Sequence, residues 1–234
     1  MKSNTFDLKK YAKSASLGIA SLGVFLLGQF IIALPLIIFN IEGSIMRTIL
    51  LLLGQTFLAL VLIYIFKERL WEDLLDLLEN HESYFKKYFK YWFYILIGMA
   101  LSNLLIIPFS DGIAQNQENV LGLLRDMPVY MYFSAVFFAP LTEELVFRQG
   151  FRQVILNDKL FILLSGLSFG VVHIISSNDI ISQLPFLPAY TIPGLIFAYL
   201  LVKSKNIFVP MGIHFVHNGV LVSLQIIAMI FGGI

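Results

Sequence analysis

The chain contains no cysteine. That excludes disulfides, a thiol nucleophile and cysteine-ligated zinc. Charge is the second scarcity. Asp, Glu, Lys and Arg make up 13% of the residues against 58% hydrophobic, and mean hydropathy is +0.83. So few charges do not supply the polar surface of a soluble domain. The net charge of +1 gives no footprint for nucleic acid, and none is expected as a partner. The chain also lacks HExxH, a P-loop and a dinucleotide fingerprint. With no internal repeat and no linker-like tract, residues 1–234 read as a single membrane-embedded domain.

What the chain has in quantity is long runs without Asp, Glu, Lys or Arg. They cover residues 14–41, 48–66, 91–110, 160–178, 180–202 and 206–234. Each reaches the length of about 18 residues that a spanning helix needs. A seventh span arises if the uncharged run 127–142 continues as helix to about Arg152. The basic N-terminus followed by residues 14–41 is expected to be a retained first span, because no small-residue cleavage site follows it.

With the N-terminus inside and seven spans, Lys2, Lys9, Lys10, Lys13, Lys67, Arg69, Lys86, Lys87, Lys90, Arg148, Arg152, Lys159, Lys203 and Lys205 all fall on the inner side. Only Arg47 and Arg125 fall outside. Such a bias sets orientation. The expected fold is therefore an all-α polytopic transmembrane bundle of about seven spans, N-in, in a lipid bilayer. Residues 67–91 are the exception. Leu70, Trp71, Leu74, Leu75, Leu77 and Leu78 recur at helical spacing opposite Glu68, Glu72, Asp73, Asp76, Glu79 and Glu82. That pattern predicts one amphipathic helix on the cytoplasmic surface, either a solvated linker or an acidic docking surface for a basic peptide. Residues 111–126 form the longest outer loop.

Three polar constellations interrupt the apolar runs. The first is Thr142-Glu143-Glu144-Leu145-Val146-Phe147-Arg148. Charges next to hydrocarbon cost about 2.5–3.5 kcal/mol each on insertion scales. Glu144 and Arg148 stand at i, i+4 with the acid first, the favourable order for an ion pair. Glu143 points about 100° away and has no partner in its own segment. The spacing thus divides the roles: Glu144 and Arg148 structural, Glu143 free to act as a base. Pro140 upstream should disturb the helical ladder and widen the site.

The second is Gly166-Leu167-Ser168-Phe169-Gly170-Val171-Val172-His173. Its GxxxG pair lets a neighbouring helix approach, and His173 lies on nearly the same face. The third is His214-Phe215-Val216-His217-Asn218, where His214 and Asn218 share a face and His217 lies beside them. Counting from Arg152 and Lys205, Glu143 and His214 both sit about 13 Å from the cytoplasmic charges, whereas His173 sits about 21 Å from Lys159.

Grouped, Glu143, His173, His214 and Asn218 allow two chemistries. In one, Glu143 and His173 deprotonate a water and His214 with Asn218 hold an oxyanion. In the other, a divalent metal such as zinc sits on a carboxylate and two histidines assembled across helices. Asn218 favours the first as donor, since Asn is a poor zinc ligand.

EExxxR at Glu143–Arg148, FxxxH at Phe169–His173 and HxxxN at His214–Asn218, in that order on successive apolar segments, resemble the CPBP family. These are the CAAX proteases and bacteriocin-processing enzymes, also called Abi proteins. The resemblance covers about residues 125–230, the motif-bearing catalytic core. It implies an intramembrane endopeptidase, of metallo- or glutamate type, that cleaves a membrane-associated peptide or protein near the cytoplasmic leaflet. It implies Glu143 as water activator, His173 as its assistant, His214 and Asn218 as oxyanion holders, and Glu144 with Arg148 as support. It assigns no role to His217. The short loops look like those of a bacterial member in a plasma membrane. The competing reading is a non-catalytic immunity or scaffold protein whose polar residues are interhelical glue.

Overall fold

The computed structural model describes residues 7–110, 112–175, 177 and 179–232. Lys2 and Asp111, and the ends of two apolar runs at Asn178 and Ile234, lie outside the described residues. The described residues form an all-α bundle of nine helices: α1 (Leu8–Ile38), α2 (Ser44–Ile65), α3 (Lys67–Tyr88), α4 (Lys90–Ile106), α5 (Gln115–Asp126), α6 (residues 128–154), α7 (Asp158–Ile175), α8 (Ile180–Ser204) and α9 (Phe208–Gly232).

Helices α1, α2, α7, α8 and α9 are long and apolar enough to cross a membrane, and α3 with α4 passes that test as a pair bent by 44°. The expected count of about seven is reached only by adding α6. That helix runs unbroken for long enough, but it carries Glu143, Glu144, Arg148 and Arg152. Large apolar side chains lie exposed along α1, α2, α4 and α9, as in a protein whose solvent is lipid.

The bundle has two chemically distinct ends. At one, the Tyr11 hydroxyl donates to the Val154 carbonyl (2.9 Å), Arg69 to the Lys205 carbonyl (2.5 Å) and Tyr88 to the Lys203 carbonyl (2.9 Å). These contacts gather the lysine-rich segments. At the other, α5 meets the start of α8: the Gln115 N–H donates to Gln183 Oε1 (2.9 Å) and Asn116 Nδ2 to the Tyr190 hydroxyl (3.4 Å).

Helix α3 is amphipathic as expected, but it is not a solvated linker. Asp73 is buried, and its Oδ2 accepts from the Ile207 N–H at 2.9 Å. Asn206 Nδ2 donates to the Asp73 carbonyl (2.6 Å) and to Asp76 Oδ2 (2.7 Å). Two of the acidic residues thus hold the α8–α9 turn. Lys205, at φ 58°, takes the left-handed conformation that ends α8. A carboxylate at the first N–H groups of α9 also complements the helix dipole. Burial pushes the Asp73 carboxyl above its usual range, against the opposing Ile207 N–H and Arg69. The Tyr84 hydroxyl and then the Asn206 amide hold Asp76 below it. The latch sets the height at which α9 presents His214.

The α7–α8 seam follows from glycine. A Cβ on Gly166 would lie 2.8 Å from the Leu195 backbone nitrogen, and one on Gly194 would lie 2.7 Å from the Gly166 carbonyl oxygen. Only glycine at both positions permits this approach, which brings Tyr190 and Phe197 of α8 against the polar residues of α7 and α9.

Candidate active site

Helix α6 is wound irregularly where the chemistry lies. Residues Ser134–Phe138 and Glu144–Gly150 are π-helical, flanking the α-helical turn Ala139–Glu143. Pro140 supplies a cause. It has no N–H to return to the carbonyls of the preceding turn, so backbone acceptors are left open. The Ala139 N–H bonds to the Ser134 carbonyl, which leaves the Ala135 carbonyl free to accept from Asn218 Nδ2 at 2.8 Å. In the second π segment, the Ser165 hydroxyl donates to the Phe147 carbonyl at 2.6 Å. The irregular turns are therefore stitched to α9 and α7 by polar side chains that hydrocarbon would not tolerate unpaired.

Glu144 and Arg148 form the expected i, i+4 pair, Nε to Oε2 at 3.1 Å, and both side chains are 0% exposed. The Arg148 guanidinium lies over the Phe169 ring at 4.5 Å and the Phe197 ring at 5.4 Å, and donates to the Gly194 carbonyl at 3.4 Å. Aromatic faces thus share the cation with the single carboxylate. The other Glu144 oxygen, Oε1, takes Nδ1 of His214 at 2.9 Å. Because a carboxylate accepts, that ring nitrogen carries a proton. His214 Nε2 then faces Glu143 Oε2 at 3.9 Å, and the ring stacks on Phe197 with centroids 4.6 Å apart. His214 is held between the two glutamates, a linkage that no local spacing signals.

Glu143 keeps 17% side-chain exposure where its neighbour keeps none. It lines a cavity of about 240 Å³ together with His173, His214, His217 and Asn218. The structure therefore brings together all four residues singled out from the sequence. The greater depth of His173 is accommodated because the cavity runs lengthwise, from Glu143 and His214 to Gln225 on α9 and Gln117 on α5. His173 Nδ1 bonds the Phe169 carbonyl at 2.7 Å, and its ring stacks on Tyr190 at 4.8 Å. A carbonyl can only accept, so Nδ1 holds the proton and the neutral ring keeps a lone pair on Nε2. His217 was passed over in the sequence. It is buried on the cavity wall, and its Nδ1 has no partner among the described residues.

The lining of this cavity lies on the far side of a packed apolar layer from the lysine-rich end. Residues 144–150 are all buried. Leu145, Val146, Phe147, Phe161, Leu201 and Ile207 pack as one apolar cluster between the glutamates and that end. The wall of this cavity comes no nearer to it than Glu143, Phe197 and His214.

The metal alternative was tested on the donor set. Among the described residues, no three of His, Asp and Glu converge with ligand geometry. Glu144 is already committed to Arg148 and His214. The described residues do not fit a three-ligand centre.

Comparison with known proteins finds a likeness over the segment that carries these residues. Residues 125–220 match the family described as type II CAAX prenyl endopeptidase, Rce1-like. That match and two curated bacterial relatives support membership of the CPBP family of CAAX proteases. The chain is 27% identical to YdiL of Bacillus subtilis strain 168, which carries a provisional membrane-peptidase name, over 54% of this chain and 55% of that protein. It is 27% identical to the membrane-embedded CAAX protease MroQ of Staphylococcus aureus strain USA300, over 61% of this chain and 60% of that one. A protein of Mycoplasma capricolum described as uncharacterized is 33% identical over 47% of this chain and 34% of its own length. The chain thus spans at most 60% of the curated relatives it matches. No solved structure matches it at the same stringency. The matched segment contains α6, α7, α8 and the part of α9 that carries His214 and Asn218.

Proposed function

We propose that this CPBP protein is an intramembrane endopeptidase that hydrolyses a peptide bond of a membrane-associated peptide or protein. The observation that carries the reading is one cavity. It holds a partly accessible carboxylate, Glu143, beside an imidazole, His173, whose Nε2 lone pair is free, and beside the His214–Asn218 pair. Water held by Glu143 and His173 loses a proton to the Glu143 carboxylate as its oxygen adds to the substrate carbonyl. The oxyanion that forms accepts from the Asn218 N–H not spent on Ala135, and from His214 Nε2 when that ring carries its second proton. Glu143 then returns the proton to the leaving amine as the C–N bond breaks. Such acid–base help is worth about 10²–10⁴-fold in rate. Glu144 and Arg148 act through His214, fixing its ring.

A substrate has to be unwound at the cleaved bond, since a helix hides its carbonyls. The protein would reside in a bacterial plasma membrane with its lysine-rich end in the cytoplasm. The bacterial relatives and the segregation of Lys and Arg support this. The test is purified protein in detergent with a quenched peptide library. Cleavage by the wild type and its loss in Glu143→Ala are expected. Cleavage persisting unchanged in Glu143→Ala refutes the reading. Equal loss of function and of folded protein in that variant would instead favour polar residues acting only as interhelical glue.

A further inference from the structure

We propose that the substrate reaches this site from the α5 end of the bundle, on the side of the membrane opposite the lysine-rich loops, as an extended peptide segment. The inference rests on the peptidase reading for its chemistry and on the shape of the cavity for its direction.

Three independent observations point the same way. First, the lysine-rich end is sealed. Seven consecutive residues, 144–150, are buried below Glu143, and Leu200 and Ile207 are 0% exposed beside them. Second, the polar wall continues away from that end, past anything the chemistry needs. Beside Asn218 it adds His217, and beyond them Gln225 from α9 and Asn116 and Gln117 from α5. The His217 Nδ1 and Gln225 Oε1 atoms lack partners among the described residues. An unwound peptide brings N–H and C=O groups in alternation, which amide and imidazole groups can meet. Third, a second cavity of about 500 Å³ lies between α4, α5 and α8 and shares Met99, Gln117 and Tyr190 with the first. The shared walls lead from the site outward past α5.

The ends are told apart by charge. Lys67, Lys87, Lys90, Lys159, Lys203 and Lys205 flank helices that terminate at the sealed end, while Arg125 closes α5 at the open one. Lys and Arg are retained on the cytoplasmic side. The open end therefore faces away from the cytoplasm. The substrate class this selects is a peptide presented at the outer leaflet, or the outer juxtamembrane part of a membrane protein, and not a cytoplasmic tail.

Because the chain has no cysteine, single cysteines report directly. Asn119→Cys and Val120→Cys mark α5, and Ser83→Cys marks the exposed part of α3 at the other end. Intact cells are treated with a membrane-impermeant maleimide, then permeabilised and treated again. The expected result is at least ten-fold faster labelling of the α5 cysteines in intact cells, with Ser83→Cys labelled only after permeabilisation. Labelling of Ser83→Cys in intact cells, with the α5 cysteines protected, overturns the proposal.

A second arm measures quenched-peptide cleavage in detergent after attaching a bulky maleimide. The Val120→Cys adduct should lower the rate more than ten-fold, while the Ser83→Cys adduct leaves it unchanged. An undiminished rate with the Val120 adduct overturns the path. If no unlabelled protein shows Glu143-dependent cleavage, the peptidase reading falls, and the labelling arm still decides which side the cavity faces.

Discussion

At the scale of single residues, the two adjacent glutamates do opposite work because their surroundings differ. Glu144 is fully buried between a guanidinium and an imidazole, so removing a partner strands a charge in hydrocarbon. Arg148→Met should therefore lower stability by about 3–5 kcal/mol, read as a drop in melting temperature in detergent. Glu143→Gln should leave melting within error, since its carboxylate is partly accessible and no nearer than 3.9 Å to His214 Nε2. Asn218→Leu sits between these cases. It leaves the Ala135 carbonyl unpaired, costing about 1–3 kcal/mol, and removes an oxyanion donor as well.

The Glu144–Arg148 pair was legible in the sequence because i, i+4 spacing is a local signal. The bond from His214 to Glu144 was not, because its partners lie 70 residues apart. His217 gave no signal of its own. Its place on the cavity wall depends on how α9 turns against α5 and α6.

At the scale of elements, the helices were legible from run length, and the α7–α8 seam from GxxxG. Gly166→Leu should separate that seam and reduce both folded yield and cleavage, seen as an early-eluting or unfolded fraction on size exclusion. The π-helical turns of α6 were not readable beyond the hint of Pro140, since the shift in hydrogen-bond register depends on which side chains arrive to satisfy the freed carbonyls. Nor was the α3 latch. An acidic face on an amphipathic helix looks solvated until Asn206 and the Ile207 N–H are brought against it.

The latch has a pH signature. Asp76 titrates below its ordinary value when folded, so its stabilisation is present above the unfolded carboxylate value and is lost as pH falls through the folded one. Asp73, shifted upward, behaves oppositely: it favours the folded state below its unfolded value and loses that contribution as pH rises through the folded one. Asp76→Asn should thus flatten the acid-side decline in melting temperature below about pH 5. An unchanged decline would mean that the turn is held by other contacts.

At the scale of the whole molecule, an apolar plug at the lysine-rich end and a polar cavity directed at α5 make the bundle one-sided. Composition and Lys/Arg segregation gave the class and an orientation without coordinates. Which end the cavity faced was out of reach, because sealing depends on the packing of Leu145, Phe147, Phe161 and Ile207, residues whose types are unremarkable.

We propose that Glu143, with the imidazoles gathered around it, carries the hydrolysis without a bound metal. The deciding measurement is peptide cleavage by metal-stripped wild-type protein beside Glu143→Gln of equal melting temperature. Undiminished turnover is expected in the first and a loss of about 100-fold or more in the second. Cleavage at the wild-type rate by Glu143→Gln, or its abolition by chelation and return on adding zinc, would contradict it.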